Sequence, residues 1–264
     1  MPTAVQPSDP PRQFLTSGGS RIGYSDEGEG PSTIVAVPGL PGSGRDYRWL
    51  APQLTARGAR VIRIDPPGYG SATRGDFVGM SIADRAETVR TVISELDLPP
   101  VTLVGHSAGG AVVAHIAVHE PDLVHTAVMI SATGPRAHLS RGPLHVFARL
   151  LRLPGGQQVW SPILKRLYAL QGFPSYLTDR ERALAMLDAA AFNFAEHRRN
   201  LEAMRVPTMV AWATDDPIIS TATFQALADM VPAGPRIEFQ SGGHNVQKAH
   251  AEDLAAALVE FVGG

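Results

Sequence analysis

Ser107, Asp216 and His244 lie far apart in the chain, yet they are the residue types that together make a hydroxyl nucleophilic. A serine hydroxyl attacks poorly until a base takes its proton. An imidazole serves best as that base when a carboxylate orients its ring and stabilises its charged form. Ser107 stands in Gly105-His106-Ser107-Ala108-Gly109, and Gly-x-Ser-x-Gly marks a sharp strand-to-helix turn that lifts the hydroxyl clear of its neighbours. Such a turn holds the serine in a strained conformation, and a Cβ two residues to either side would collide with adjoining backbone. His244 follows Gly242-Gly243, a pair free enough to turn the imidazole towards the serine. Asp215 and Asp216 both follow Trp212-Ala213-Thr214. Asp216 is the chosen carboxylate, because those three residues first complete a strand end and Pro217 then fixes the turn. Asp215 is expected to be a solvated loop residue or a turn cap.

These residues can meet only if several strands end at one edge of a sheet, where ligands gather in open α/β folds. Val101, Leu103 and Val104 form a short apolar run that predicts a strand buried on both faces, and small or apolar residues from Ala108 to Ala117 predict a helix behind the serine. Further strands are expected at 12–16 and 21–25 (a hairpin around Ser17-Gly18-Gly19-Ser20), 33–37, 60–64, 126–130, 207–212 and 236–239. Helices are expected at 46–56, 81–96, 221–230 and 251–261. Strands alternating with helices in this way predict a mostly parallel twisted sheet of about eight strands, covered on both faces.

The alternation stops between 135 and 206. Helical patterns at 144–153, 159–170, 179–191 and 192–204 replace it, punctuated by Pro154, Pro162 and Pro174. The expected organisation is a mobile tail over 1–11, a core built from 12–134 and 207–264, and a helical cap over 135–206. Phe147, Leu150, Leu151, Trp160, Ile163, Leu164, Leu167 and Tyr168 form an apolar stripe that is expected to pack the cap and in part to line a substrate cavity.

Gly105-His106-Ser107-Ala108-Gly109, Trp212-Ala213-Thr214-Asp215-Asp216-Pro217 and Gly242-Gly243-His244, in that order, resemble the α/β-hydrolase family. The likeness spans almost the whole chain, including Asp65-Pro66-Pro67-Gly68-Tyr69-Gly70 and a cap between core strands six and seven. It implies an α/β-hydrolase fold. It also implies that the backbone N–H groups of Leu40 and Ala108 form an oxyanion hole. The family's loop after the third strand commonly reads His-Gly-x-Pro-Gly, whereas here it reads Pro38-Gly39-Leu40-Pro41-Gly42, which removes a side chain that usually braces it. Ala213 stands where the family often has glycine. A serine nucleophile argues against the dehalogenase and epoxide hydrolase branches, which attack with an aspartate.

A formal net charge of −2 without a long basic run argues against nucleic acid as a partner, and the absence of cysteine excludes disulfides and thiolate metal sites. No apolar run reaches the ~20 residues that a membrane span needs, and the first residues lack the charged and apolar regions of a signal peptide, so the default location is the cytoplasm. Gly39-Leu40-Pro41-Gly42-Ser43-Gly44-Arg45-Asp46 nearly spells a phosphate-binding loop, but Arg45 and Asp46 occupy the positions that need Lys and Ser or Thr. His106 is expected to pack beneath the serine turn. His115, His119 and His125 are expected at the surface without a metal, His250 at the start of the last helix, and Asp65 as an anchor of its own loop. Arg198 and Arg199 are expected as exposed helix charge. The expected function is hydrolysis of a small to medium carboxylic ester with an apolar portion through an acyl-enzyme, acting on a small molecule and needing no metal or organic cofactor. The same residues would also serve carbon–carbon bond, thioester or amide hydrolysis, a cofactor-free haloperoxidase, or a low-turnover receptor. The oligomeric state is left open.

Overall fold

The computed structural model describes residues 6–136, 141–170 and 175–263. Its strands are β1 (Gln13–Ser17), β2 (Ser20–Glu27), β3 (Ser32–Val37), β4 (Ala59–Asp65), β5 (Val101–His106), β6 (Val124–Ile130), β7 (Thr208–Ala213) and β8 (Arg236–Phe239). They form one eight-stranded sheet in the order β1-β2-β4-β3-β5-β6-β7-β8. β2 runs antiparallel to both β1 and β4, and all the other neighbours are parallel. Gly18 and Gly19 turn the opening hairpin with φ of 54° and 76°, the left-handed pair that a two-residue turn between twisted strands requires.

The helices are α1 (Leu50–Thr55), α2 (Ile82–Glu95), α3 (Gly109–His119), α4 (Arg141–Leu151), α5 (Gly156–Leu170), α6 (Asp179–Ala191), α7 (Phe194–Ala203), α8 (Thr221–Met230), α9 (Val246–Ala249) and α10 (Ala251–Gly263). Successive strand residues point to opposite faces, so each strand feeds two cores. Val35, Ile62, Leu103 and Val210 join Val89, Val92, Val113 and Phe224 on one face. Ile34, Val61, Val104 and Met209 join Leu50, Leu54, Leu254 and Leu258 on the other. Covering both faces explains why all six residues of β5 are buried.

Two local expectations are corrected. The helix expected over 46–56 is instead a tight 3₁₀ turn, Gly44–Tyr47, followed by the short α1. Tertiary anchors hold that turn: Gly44 N–H donates to Asp65 Oδ1 (2.8 Å), and the Tyr47 hydroxyl donates to the carbonyls of Val37 (2.7 Å) and Val104 (3.2 Å). Pro162 does not punctuate; it lies inside α5 on an exposed face, where the carbonyl it deprives of a donor can be solvated. Pro174 lies outside the described residues.

Between β6 and β7 come α4, α5, α6 and α7. Leu151, Leu164, Tyr168, Leu184 and Leu187 form a core of their own above the sheet. The apolar stripe is only partly absorbed by it. Phe147 meets Trp160 edge to face at 5.3 Å, but Ile163 and Leu167 remain 43% and 37% exposed, since each sits about 100° round the helix from its buried neighbour.

Candidate active site

The serine turn is built as its glycines demand. Ser107 has φ of 52°, in the left-handed region. A Cβ on Gly105 would lie 2.6 Å from the Gly109 backbone, and one on Gly109 would lie 2.3 Å from the Val37 carbonyl oxygen. Ser107 N–H donates to the Ile130 carbonyl (3.0 Å), and its own carbonyl accepts from Gly110 and Thr133 N–H (both 3.0 Å). The hydroxyl is thus presented by a backbone pinned on three sides.

His244 Nε2 lies 2.9 Å from Ser107 Oγ, and His244 Nδ1 lies 2.7 Å from Asp216 Oδ2. These atoms come from the loops after β5, β7 and β8, all at the carboxyl edge of the sheet. The Asp216 side chain is fully buried, and its Oδ1 accepts from Ile218 N–H (2.8 Å) and Ile219 N–H (3.0 Å). Burial pushes its pKa up, but the bond and charge of His244, with the two N–H groups, outweigh burial and hold it below the ordinary carboxylate value. An ionised carboxylate accepts only, so Nδ1 carries the ring proton and Nε2 is left to accept from the hydroxyl.

Asp215 serves a different end. Its exposed carboxylate accepts from Gly243 N–H (2.7 Å) and Gly242 N–H (3.3 Å), bracing the turn that carries the imidazole. Gly242 and Gly243 have φ of 132° and 59°, which few side chains tolerate. His106 holds the same loop from below. Its ring nitrogen Nε2 lies 2.8 Å from the His244 carbonyl oxygen, and burial, then the nearby charge of His244, lowers its pKa to about 3. It therefore stays neutral and donates.

Leu40 and Ala108 line the same cavity as Ser107. The loop between β3 and the 3₁₀ turn lies so near that a Cβ on Gly39 would be 3.0 Å from Ser107 Cβ. Among the described residues, no internal acceptor takes the N–H of Leu40 or of Ala108. The rest of the glycine loop does not form a phosphate cradle, because Gly44 N–H is spent on Asp65 and Asp46 N–H on the Ser43 carbonyl.

The other candidates stand apart from the hydroxyl. Asp65 Oδ2 accepts from Ser71 N–H (2.9 Å) and its hydroxyl (2.7 Å), anchoring its own loop. His115 stacks on His119 at 4.2 Å and lies 3.4 Å from Glu196, and His125 is exposed. His250 reaches the Ser241 carbonyl (2.7 Å) and stacks on Phe239. Arg198 pairs with Glu202, and Arg199 is exposed. Among the described residues, no group of three or more His, Asp or Glu could hold a metal ion, and no helix is long and apolar enough to cross a membrane.

Above the serine is a cavity of about 1380 Å³. Leu144, Leu170, Leu177, Ala189, Phe192 and Phe194 give it an apolar wall. None of the stripe residues expected to line it does so. They pack between α4, α5 and α6 or face solvent, while the wall comes from helix ends and from α6.

Residues 34–257 match the model of the alpha/beta hydrolase family. The chain belongs to the α/β-hydrolase family. Hydrolysis is the activity class that this membership brings. Two of the relatives that span most of the chain are enzymes of different kinds. A dihydrolipoyllysine-residue acetyltransferase component of the acetoin cleaving system of Pseudomonas putida is 28% identical over 98% of this chain and 71% of its own. The 2-hydroxy-6-oxononadienedioate/2-hydroxy-6-oxononatrienedioate hydrolase of Cupriavidus pinatubonensis is 26% identical over 92% of this chain and 91% of its own. The solved enol-lactonase of Burkholderia xenovorans superposes with a TM-score of 0.77 at 17% identity, covering 96% of this chain and 100% of that one. At that identity the likeness concerns the fold of an α/β-hydrolase and nothing finer.

Proposed function

We propose that this α/β-hydrolase cleaves small to medium carboxylic esters with an apolar portion, through an acyl-enzyme formed on Ser107. The observation that carries this is the hydrogen-bonded line from Ser107 Oγ through the His244 ring to Asp216. His244 takes the hydroxyl proton as Oγ adds to the acyl carbonyl. The N–H groups of Leu40 and Ala108 receive the oxygen as it becomes negative. The imidazolium then gives its proton to the departing alkoxide. A water molecule deprotonated by the same ring repeats the addition, and Ser107 leaves as the hydroxyl with the acid released. Asp216 keeps the ring in the required tautomer throughout.

Charge in the cavity supports an uncharged substrate. Arg12, Arg45, Arg74 and Arg180 line it, but so do four carboxylates, and three of these arginines pair with acids at 3.0–3.5 Å. The fourth, Arg180, donates to the Arg74 and Asp76 carbonyls. A dicarboxylate, such as the name of the Cupriavidus relative suggests for that enzyme, would find only Arg180 of these four without an acidic partner, and would have to displace an ion pair to bring its second carboxylate to another. Within the region proposed as the cap, α7 packs on α3 and α8, and His197 binds the Thr133 carbonyl (2.8 Å). We therefore assign the cap role to α4–α6 and a core role to α7.

A p-nitrophenyl ester series from acetate to decanoate tests the substrate class, with a fluorophosphonate probe to label Ser107. Turnover above background that disappears in Ser107→Ala supports the proposal. Background rates along the whole series would remove the ester assignment, and a fully active Ser107→Ala would remove the mechanism.

A further inference from the structure

The Gly39–Leu40 peptide is gripped from behind. Arg85, on α2, is buried, and its Nη2 donates to the carbonyl oxygens of Gly39 (2.9 Å) and Pro38 (3.3 Å). The Gly39 carbonyl and the Leu40 N–H belong to one planar trans peptide, so they point in opposite directions. A guanidinium fixed on the carbonyl end therefore sets where the N–H end aims. Its charge also polarises the peptide and strengthens the N–H as a donor. Pro38 has no side-chain donor with which to steady the loop itself.

Arg85 is held in turn from above. Its Nη1 lies 3.9 Å from Oδ2 of Asp188, a fully buried carboxylate on α6. Asp188 also accepts from the Tyr69 hydroxyl (2.7 Å), Arg74 Nη1 (3.0 Å) and Met80 N–H (2.8 Å). Arg85 Nε and Nη1 have no hydrogen-bond partner among the described residues. A guanidinium buried with two nitrogens that make no hydrogen bond is costly as mere packing. An apolar side chain of equal volume would fill the place at less cost.

We propose that Arg85 is the positioning residue of the oxyanion loop, aiming Leu40 N–H at the reacting carbonyl oxygen, and that Asp188 ties this setting to the seating of α6. The proposal rests on the serine-hydrolase function above, and it identifies what replaces a loop side chain as the brace. Arg236 supplies the control, because its guanidinium also donates to main-chain carbonyls (Thr208, Ala228, Val231 and Pro232) but lines no part of the cavity and bonds neither that loop nor Asp188.

The test measures p-nitrophenyl butyrate kinetics, the rate of Ser107 labelling by a fluorophosphonate, and Tm. Losing an oxyanion donor outright costs about 10²–10³ in kcat, and a donor left in place but mis-aimed should cost less. Arg85→Met should therefore lower kcat and the labelling rate about 30-fold, with KM changed less than about twofold. Arg85→Lys should recover part of the loss, and Asp188→Asn should lose about fivefold. Arg236→Met should lower Tm comparably while losing less than about threefold in kcat. A folded Arg85→Met labelled at the wild-type rate overturns the proposal, as do rate losses that track Tm equally in Arg85→Met and Arg236→Met. Should Arg85→Met fail to fold, wild-type labelling in both Arg85→Lys and Asp188→Asn overturns it. A wild type that neither turns over nor labels defeats the serine-hydrolase function itself. An active wild type with indifferent Arg85 variants defeats only the positioning role.

Discussion

Ser107, Asp216 and His244 stand on loops whose backbone is fixed at several points, whereas α4 and α5 above them are joined mainly by apolar side chains. At the sheet edge, N–H and carbonyl groups are spent on holding three side chains in line. In the cap, Leu151, Leu164 and Tyr168 bury surface, while Val159, Ile163 and Leu170 of the same helices remain exposed. Directional bonds specify positions to a fraction of an ångström; apolar contacts specify mainly that a layer is covered. The proposed function assigns reactivity to the rigid edge and selectivity to the looser layer over it.

The contrast can be broken most directly at the edge. Ser107→Ala should lower turnover by about 10⁶ where a full triad operates, with Tm unchanged because no backbone bond depends on Oγ. Retained turnover in purified protein would show that some other group attacks. Next come the two neighbouring acids. Asp216→Asn should cost about 10⁴ in kcat by disturbing the ring's tautomer. Asp215→Asn should cost about tenfold or less, because its amide oxygen can still accept from one glycine N–H. The reverse order would mean that the carboxylates exchange places in solution.

The same contrast explains what could be read from one chain. Gly105, Ser107 and Gly109 announce their turn because the steric demand lies within five residues, and the strands announce themselves by apolar runs of the right length. Asp216 was separable from Asp215 only through the position of the strand end and Pro217. That Asp215 braces Gly242 and Gly243 was not legible, since the contact joins loops 27 and 28 residues apart. Arg85 and Asp188 carry no local signal at all: each sits on an ordinary helix, and the roles proposed for them arise only where those helices approach the loop of Pro38, Gly39 and Leu40. The cap's helices were legible from periodicity, but which of their residues face the cavity depends on tertiary packing, and the stripe misled.

Selectivity should respond in the cap without loss of reactivity. Ala189 lines the cavity from α6. Ala189→Trp should leave kcat/KM for an acetate ester within about twofold and lower it for a decanoate ester by about 10–100-fold, the scale on which an apolar pocket discriminates size. Equal losses on both esters would mean that the bulk reaches the serine, and that the division between edge and cap is drawn in the wrong place.

The smallest effect tests where α7 belongs. His197 is buried on α7, and its Nε2 holds the Thr133 carbonyl, whose residue in turn donates N–H to the Ser107 carbonyl. Burial lowers its pKa from 6.5 to about 4, against the weaker opposing effect of the Thr133 bond. Between those values the unfolded chain binds a proton that the folded chain refuses, so stability rises with pH through this window and falls on acidification. The contribution amounts to about 1.4 kcal/mol per pH unit for one proton. His106 adds a parallel contribution that extends to about pH 3, so wild type should be steeper than a single histidine requires. In His197→Gln the amide can still donate to Thr133 but cannot titrate. Urea unfolding between pH 6.5 and 4 should then show a slope smaller by about one proton, with activity at neutral pH little changed. An unchanged slope would mean that His197 is reached by solvent in the folded state, and that α7 moves with the cap instead of standing with the sheet.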